Sequence, residues 1–347
     1  MRAALVREMD IPTLLSWKAT CSRNYVDVAD ELRDSLRRLL AAFVPSPSAL
    51  LSLATRTHSL ISGEFAIQYL LRDNAFVANC LDIYVGSVLF HTFIDEFTDD
   101  HTLSGYQTSS VLSIHGEPYA YKRQVRQSLQ VRLSTGKTIY VHASSTASPC
   151  HALACSPSSV GTTFITEFCF ATAYPRLTFN RRGLICLSQL AGSMQTELDM
   201  YERLEACGFA FNEDPTSWTD YSPFSGNTRP DACLRSVYLC PQQGRYFGDR
   251  GSLVALVDQF EIGFRQLKSR GLPPYGIMAA WRLPSDVLCD EQCDVLDEVI
   301  GPDLLVTSVV LENDPFASQS SSAYYSSTSH VSQSKIANRK TGRRCSM

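Results

Sequence analysis

The stretch that most constrains the fold of this chain is a Ser-Gly turn between a short apolar strand and a helix. The turn reads Ile61-Ser62-Gly63-Glu64, and it is followed sixteen residues later by Cys80-Leu81-Asp82-Ile83-Tyr84-Val85. Because side chains i and i+2 of a strand share a face, Cys80 and Asp82 are expected on one side and the apolar residues on the buried side. This predicts a strand-turn-helix-strand unit with a polar strand face.

Apolar periodicity extends this unit into an alternation of helices and strands. Apolar residues at three- and four-residue steps predict a first long helix, and Pro45 and Pro47 end it. Helices are predicted at about 25–43, 48–56, 64–73, 87–97, 184–204 and 252–269. Strands are predicted at about 59–62, 81–85, 111–114, 124–133, 137–144, 237–239, 276–283 and 304–311. Residues 164–170 fit a helix or a strand equally well.

These elements predict an α/β (α+β) fold with four segments. Residues 1–57 form an N-terminal helical cap, 58–180 an α/β core with a small mixed sheet flanked by helices, and 181–312 a C-terminal helical and α/β extension. Residues 313–347 are rich in Ser and Thr and have no apolar period, which predicts a disordered tail. The basic residues of this tail fit a nuclear-import or anionic-surface signal, or a solubilising end.

Composition narrows the function classes. The chain has 347 residues, 44% of them hydrophobic and 19% charged, and a net charge of −4. It is therefore expected to be globular, and nucleic acid is not the expected partner. Residues 1–17 have neither a continuous apolar core nor a small-residue cleavage site, and no run of about 18 uncharged apolar residues occurs in the sequence. We expect a soluble intracellular protein, cytoplasmic or nuclear, whose scattered cysteines are reduced thiols.

The strand that carries Asp82 has the form of a magnesium site that has lost ligands. An Asp-x-Asp pair on one strand face can direct two carboxylates at the same pair of magnesium ions, and a neighbouring strand supplies a third. Here Cys80 holds the first position, and magnesium prefers hard oxygen ligands to a thiol. No acidic residue occurs from Pro118 to Thr166, so the third ligand is absent from the hairpin, and Tyr140 is predicted in its place.

The Ser-Gly turn is also altered at the position that would meet phosphate. A helix N-terminus binds phosphate through free N–H groups and the positive end of the helix dipole. Glu64 places a carboxylate where a small hydroxyl residue would leave room, so Ser62, Gly63 and Glu64 are predicted to form a degenerate phosphate turn. The alternative is that Glu64 only stabilises the first turn of its helix, by about 0.3–1 kcal/mol.

These motifs resemble a family of fungal proteins of uncharacterised function with a diverged nucleotidyltransferase-like fold. The resemblance rests on Ser62-Gly63, on Leu81-Asp82-Ile83-Tyr84-Val85, on the hairpin that follows, and on Ala173-Tyr174-Pro175-Arg176-Leu177-Thr178-Phe179, with weaker similarity around Cys240, Arg245 and Asp249-Arg250-Gly251. The family motif resembles Ile-Ser-Gly-Ser followed by Asp-Leu-Asp-Ile-Tyr, and this chain departs from it at Glu64 and Cys80. The resemblance implies a sheet of nucleotidyltransferase type, and it implies no particular substrate.

The expected function is that of a pseudoenzyme. A catalytically degenerate nucleotidyltransferase-like domain would serve as a protein-interaction or weak ligand-binding module, with an unknown protein partner, no membrane partner, no cofactor, and nucleotide binding possible but not favoured. The alternative is an active magnesium-dependent nucleotidyltransferase. It would combine Asp82, the only retained acid and a candidate metal ligand, with non-standard acids such as Asp95, Glu96, Asp99 or Asp100.

Other sites have weaker support in the sequence. Four cysteines could be drawn as a zinc site, but their spacing is poor for structural zinc; they are Cys233, Cys240, Cys289 and Cys293. A Cys-His hydrolase pair is not singled out. Arg245 and Asp249 lie four residues apart, as a local ion pair or as ligand contacts. No phosphate-binding loop of Walker type and no dinucleotide-binding glycine motif occurs.

Overall fold

The structure is a computed structural model. It describes residues 2–73, 76–99, 108–115, 125–186, 195–221, 234–240, 243–257, 277–281 and 306–310. The predicted disordered tail lies outside these residues. None of the described helices is both long and apolar enough to cross a membrane.

The helices begin and end where the local sequence provides caps and breaks. Asp10 caps the second helix by accepting a hydrogen bond from the Thr13 N–H at 2.8 Å, and Ser46 caps the fourth, which starts at Pro47. The helices are α1 Arg2–Glu8, α2 Ile11–Lys18, α3 Ser22–Leu40, α4 Pro47–Arg56, α5 Gly63–Leu71, α6 Phe90–Asp99, α7 Pro149–Ala154, α8 Pro175–Phe179 and α9 Gln195–Ala206.

Thirteen strands occur in the described residues, in three sheets. They are β1 Leu60–Ser62, β2 Cys80–Val85, β3 Thr108–His115, β4 Val125–Leu133, β5 Thr138–Ser144, β6 Thr163–Ile165, β7 Cys169–Thr172, β8 Arg182–Leu184, β9 Ala210–Asn212, β10 Arg245–Tyr246, β11 Leu253–Leu256, β12 Ile277–Trp281 and β13 Val306–Val310. The main sheet has eight strands in the order β11-β7-β6-β1-β2-β5-β4-β3. Its pairs are antiparallel except for β2 and β5, which are parallel, so the sheet is mixed and the α/β fold is confirmed.

One face of the main sheet is apolar and covered by helices. We call it the core face; Leu81, Ile83, Ile139, Val141 and Val131 on strands β2, β5 and β4 belong to it. Helices α3, α4, α5 and α6 pack against this face and bury it in the largest apolar cluster among the described residues. Because these strands alternate, the residues between the core-face positions point to the other side.

The opposite face is divided between an apolar end and a polar end. At the apolar end, Leu60, Tyr84, Phe164 and Ala171 pack with residues of α7 and α8 and with Trp281 in a second cluster. At the polar end, on β2, β5 and β4, lie the side chains described in the next subsection. The N-terminal cap also contacts the C-terminal part, since Lys18 donates a hydrogen bond to the Val257 carbonyl at 2.9 Å.

The strands of the C-terminal part belong partly to the main sheet and partly to separate sheets. Strand β11 extends the main sheet by pairing with β7, whereas β10, β12 and β13 form a separate sheet. The strands predicted at 276–283 and 304–311 are confirmed as β12 and β13. Most boundaries predicted in the first 150 residues are confirmed to within a few residues, although α1 and α2 were not predicted.

Three element predictions in the second half are wrong. The helix predicted at 184–204 is described only from Gln195 as α9, and Leu184 belongs to β8 because it pairs with Asn212 of β9. Residues predicted as a strand at 237–239 follow a 3-10 turn at Leu234–Val237. The helix predicted from residue 252 begins as strand β11, and its remainder lies outside the described residues. For Leu184 and for Leu253–Leu256, long-range strand pairing outweighs local apolar spacing. The ambiguous residues 164–170 form the end of β6, the turn that follows it and the start of β7.

Candidate functional site

A group of polar side chains lies on the face of the main sheet opposite to the core face. We call it the polar patch, and it is formed by Cys80, Asp82, Ser128, Gln130, Tyr140 and His142. The strand register creates it, because Asp82 pairs with Tyr140 across β2 and β5, and Tyr140 pairs with Gln130 across β5 and β4. His142 is opposite Ser128 one step along the strands. Three adjacent strands thus contribute side chains to one surface.

The Asp82 carboxylate is packed against the Ser-Gly turn. Gly63 has a φ of +69°, and a Cβ added to it would lie 2.0 Å from Asp82 Oδ2. Glycine is therefore required here both by its left-handed backbone and by the close approach of the carboxylate. Gly63 is the first residue of α5, so the negative charge of Asp82 lies at the positive end of this helix.

The other two residues of the turn are engaged within the protein. The Ser62 hydroxyl donates a hydrogen bond to the Thr163 carbonyl at 2.6 Å and does not cap α5. Glu64 is 1% exposed. Its carboxylate accepts hydrogen bonds at 2.9 Å from the Asn79 N–H and from Arg203 Nε of α9. An ion pair with Arg203 thus compensates the charge of Glu64. Neither of the two interpretations of Glu64 from the sequence predicted this ion pair.

Asp82 takes part in a hydrogen-bonded chain across three strands. His142 Nε2 lies 3.3 Å from Asp82 Oδ1, and His142 Nδ1 lies 2.8 Å from the Ser128 hydroxyl. The Asp82 and His142 side chains are 19% and 18% exposed, so water reaches both. An ionised carboxylate can only accept, so Asp82 favours the tautomer with hydrogen on Nε2, and Nδ1 then accepts from the Ser128 hydroxyl.

Cys80 and Tyr140 keep their protons at neutral pH. Burial, followed by the charges of Asp82 and Glu64, raises the pKa of the Cys80 thiol to about 12. Burial, followed by the neighbouring Cys80 and Asp82, raises the pKa of Tyr140 to about 12. The Tyr140 hydroxyl also accepts a hydrogen bond from Gln130 Nε2 at 3.0 Å. Both groups are therefore neutral beside the single carboxylate of the patch.

The polar patch does not fit magnesium. Magnesium requires several hard oxygen ligands. The side chains beside Asp82 in the patch are instead the protonated thiol of Cys80, the phenol of Tyr140 and the imidazole of His142. Within the part of the chain that the structure describes, no group of three or more His, Cys, Asp or Glu side chains is arranged to hold a metal ion. Tyr140 does occupy the position beside Asp82 that the sequence assigned to it.

The acids proposed as substitutes are not brought to the patch. Phe93 and Phe97 of α6 pack in the core-face cluster, so the main sheet separates this helix from Asp82. Glu96 on α6 forms an ion pair with Arg56 of α4, and Asp95 is exposed. The side chain of Asp99 and the whole of Asp100 lie outside the described residues.

The remaining candidates are placed as follows. Arg245 and Asp249 form the local ion pair, with Arg245 Nε 2.5 Å from Asp249 Oδ2. Of the four cysteines considered for zinc, only Cys240 is described, and it is buried. Several other cysteines are buried or half-buried thiols; these are Cys80, Cys150, Cys155 and Cys169.

Sequence reasoning missed three members of the polar patch and the partner of Glu64 beside it. Arg203 lies 139 residues from Glu64, and the sequence predicts its helix without any partner for the glutamate. His142, Ser128 and Gln130 are part of the predicted hairpin but are not singled out. The signal that could have found His142 is its i+2 spacing from Tyr140, which places both on one strand face.

Comparison of the chain with models of protein families and with curated protein sequences returns no match.

Proposed function

We propose that this chain is a catalytically degenerate nucleotidyltransferase-like domain that serves as a protein-interaction or weak ligand-binding module. The observation that carries the proposal is the composition of the polar patch, where Asp82 is the single carboxylate. Two-metal chemistry requires several negative ligands to neutralise the cations and the polyphosphate they hold. One carboxylate flanked by neutral groups cannot meet that requirement.

The arrangement of the central strands supports the nucleotidyltransferase part of the proposal. Strand β1 leads through the Ser-Gly turn into α5, β2 returns antiparallel to β1, and β5 lies parallel to β2 on its other side. In this frame the three positions expected for carboxylates correspond to Cys80, Asp82 and Tyr140. The positions are adjacent, and only their chemistry differs from that of a metal site.

The state of the Ser-Gly turn supports the loss of phosphate binding. The carboxylate of Asp82 approaches Gly63 closely enough to fill the space of a side chain there. It adds a negative charge at the α5 N-terminus, where a phosphate group would otherwise be attracted. The Ser62 hydroxyl is already bonded to Thr163, so it is not available to a ligand without rearrangement.

The proposal includes an intracellular location, cytoplasmic or nuclear. Cys80, Cys150, Cys155 and Cys169 are thiols rather than disulfides, and unpaired cysteines in such numbers are typical of reducing compartments.

Calorimetric titration tests the proposal against the active-enzyme alternative. We expect no saturable heat when MgCl₂ and ATP are titrated into the protein, and no difference between wild type and Asp82→Asn. Micromolar binding that is lost in Asp82→Asn would instead support an active nucleotidyltransferase that recruits acids from elsewhere. It would overturn the proposal that the domain is catalytically degenerate.

Restoring the missing ligands provides a sharper test of the inherited frame. We expect the variant Cys80→Asp/Tyr140→Asp to bind Mn²⁺ at least ten times more tightly than wild type, as measured by electron paramagnetic resonance. The matched variant Cys80→Asn/Tyr140→Asn makes similar changes in size without adding charge, and it should bind no more tightly than wild type. Equal binding by the two double variants would show that the three positions do not converge.

A further inference from the structure

A pocket far from the polar patch lies between the N-terminal and C-terminal parts of the chain. Its volume is about 320 Å³, and it is bounded by α2, α8, residues 237–239, Arg245 and residues 250–253. Much of its wall is apolar, formed by Pro12, Leu15, Leu177, Phe179, Leu239 and Leu253. This volume is at the lower end of the range of about 300–1,000 Å³ that is usual for small-molecule sites.

Long-range hydrogen bonds hold the walls of this pocket in place. Arg245 is 1% exposed and donates to the Ala173 carbonyl at 2.6 Å and to the Tyr238 carbonyl at 2.7 Å. On the other side, Lys18 at the end of α2 donates to the carbonyls of Leu256 and Val257 at the end of β11. The pocket is thus formed by anchored segments from distant parts of the sequence and not by a single surface loop.

The charged side chains that line the pocket are all arginines, and one of the three is already paired. Three arginines line it, namely Arg176, Arg245 and Arg250. Asp249 compensates Arg245 through two hydrogen bonds. Arg176 and Arg250 are exposed, and neither forms an ion pair with another described residue. No carboxylate side chain is among the described residues that line the pocket.

Two uncompensated guanidinium groups beside an apolar cavity define a ligand chemistry. Arginine binds carboxylate and phosphate through paired N–H donors, more strongly than it binds neutral acceptors. The apolar wall favours a hydrocarbon or aromatic body, since burying it removes apolar surface from water. We propose that this pocket binds a small organic acid whose carboxylate or phosphate head contacts Arg176 and Arg250 and whose apolar body enters the cavity. This site does not depend on the function proposed for the polar patch.

Isothermal titration calorimetry with a matched set of probes tests this proposal. The probes are 1-naphthyl phosphate, 1-naphthoate, the neutral 1-naphthylmethanol, and inorganic phosphate. We expect both acids to bind to the full chain and to bind more weakly as salt is raised, whereas the neutral alcohol and inorganic phosphate each lack one half of the ligand and should bind at least ten times more weakly.

Exposed arginines provide the variants and the control. Arg176→Gln/Arg250→Gln should weaken the binding of both naphthyl acids at least ten-fold, and Arg37→Gln on α3, an exposed arginine outside the pocket, should leave it unchanged. Thermal melting of each variant checks that the fold is retained. Absence of binding by the wild type at millimolar acid, equal binding of the neutral alcohol, or unchanged binding in the double variant would each overturn the proposal. Binding of inorganic phosphate as tight as that of 1-naphthyl phosphate would overturn the role of the apolar cavity.

Discussion

The core face and the polar patch are built from alternate residues of the same three strands, yet they respond to opposite requirements. On β2, Leu81 and Ile83 are fully buried under helices, while Asp82 between them is 19% exposed and has polar neighbours. A residue on the core face is fixed by packing, because any polar replacement loses water without gaining a partner. A residue on the patch can change its chemistry while the strand stays in place. Under the function proposed above, this difference is how the strand frame persists while the ligand set changes.

The largest expected effect comes from placing a carboxylate one residue further along β2, on the core face. Ile83→Asp should destabilise the protein by about 4 kcal/mol or more, because an unpaired carboxylate would be buried among apolar side chains. Asp82→Asn keeps the shape of its side chain and should change the free energy of unfolding by no more than about 1 kcal/mol. Urea unfolding monitored by circular dichroism measures both. The reverse ranking would show that the assignment of faces on β2 is wrong.

The second test compares two histidines on the same side of the main sheet. His142 on the patch has hydrogen-bonding neighbours at both ring nitrogens, whereas His151 in α7 is buried and its Nδ1 has no hydrogen-bond partner among the described residues. Burial lowers the pKa of His151 from 6.5 to about 4. The unfolded chain therefore takes up a proton at a higher pH than the folded one, and stability falls as the pH drops through this range.

The size of that effect follows from the displacement of the pKa. Each pKa unit corresponds to 1.36 kcal/mol, so His151 should account for a loss of about 3 kcal/mol by the time the pH reaches 4. His151→Leu removes the titrating group and should lose correspondingly less stability between pH 7 and pH 4, as measured by urea unfolding at both values. If the variant and wild type lose the same amount, His151 does not titrate as its burial implies.

The smallest test concerns the ion pair beside the patch. Glu64→Gln retains an acceptor for the Asn79 N–H but removes the charge that holds Arg203, and it should cost about 2 kcal/mol. The cost is moderate because the Arg203 side chain is 34% exposed and can return to water. The matched control is Glu202→Gln, which changes an exposed acid on α9 next to Arg203. It should change the free energy of unfolding by less than about 0.5 kcal/mol. A similar cost for the two variants would assign Glu64 only the weak role of a first-turn acid.

Much of the frame could be predicted because it depends on local patterns. The alternation of β2 placed Leu81 and Ile83 on the buried side, and the hairpin of β4 and β5 was evident from its strand pattern and its Ser-Thr-Gly turn. The position of Tyr140 beside Asp82 also followed from the pattern of the hairpin. Leu184 and Leu253 were assigned to helices because apolar spacing within a short segment does not reveal a distant strand that will pair with it.

The sequence by itself determined the mixed α/β class, the two faces of β2 and the shortage of acids at Asp82, since each of these depends on residue type and on spacing within one segment. Only the tertiary structure decided that Arg203 compensates Glu64, that Asp82 packs against Gly63, and that Arg176 and Arg250 line one pocket. Those contacts join residues that are far apart along the chain. Their energies depend on distance and burial in the folded state, which no local pattern encodes.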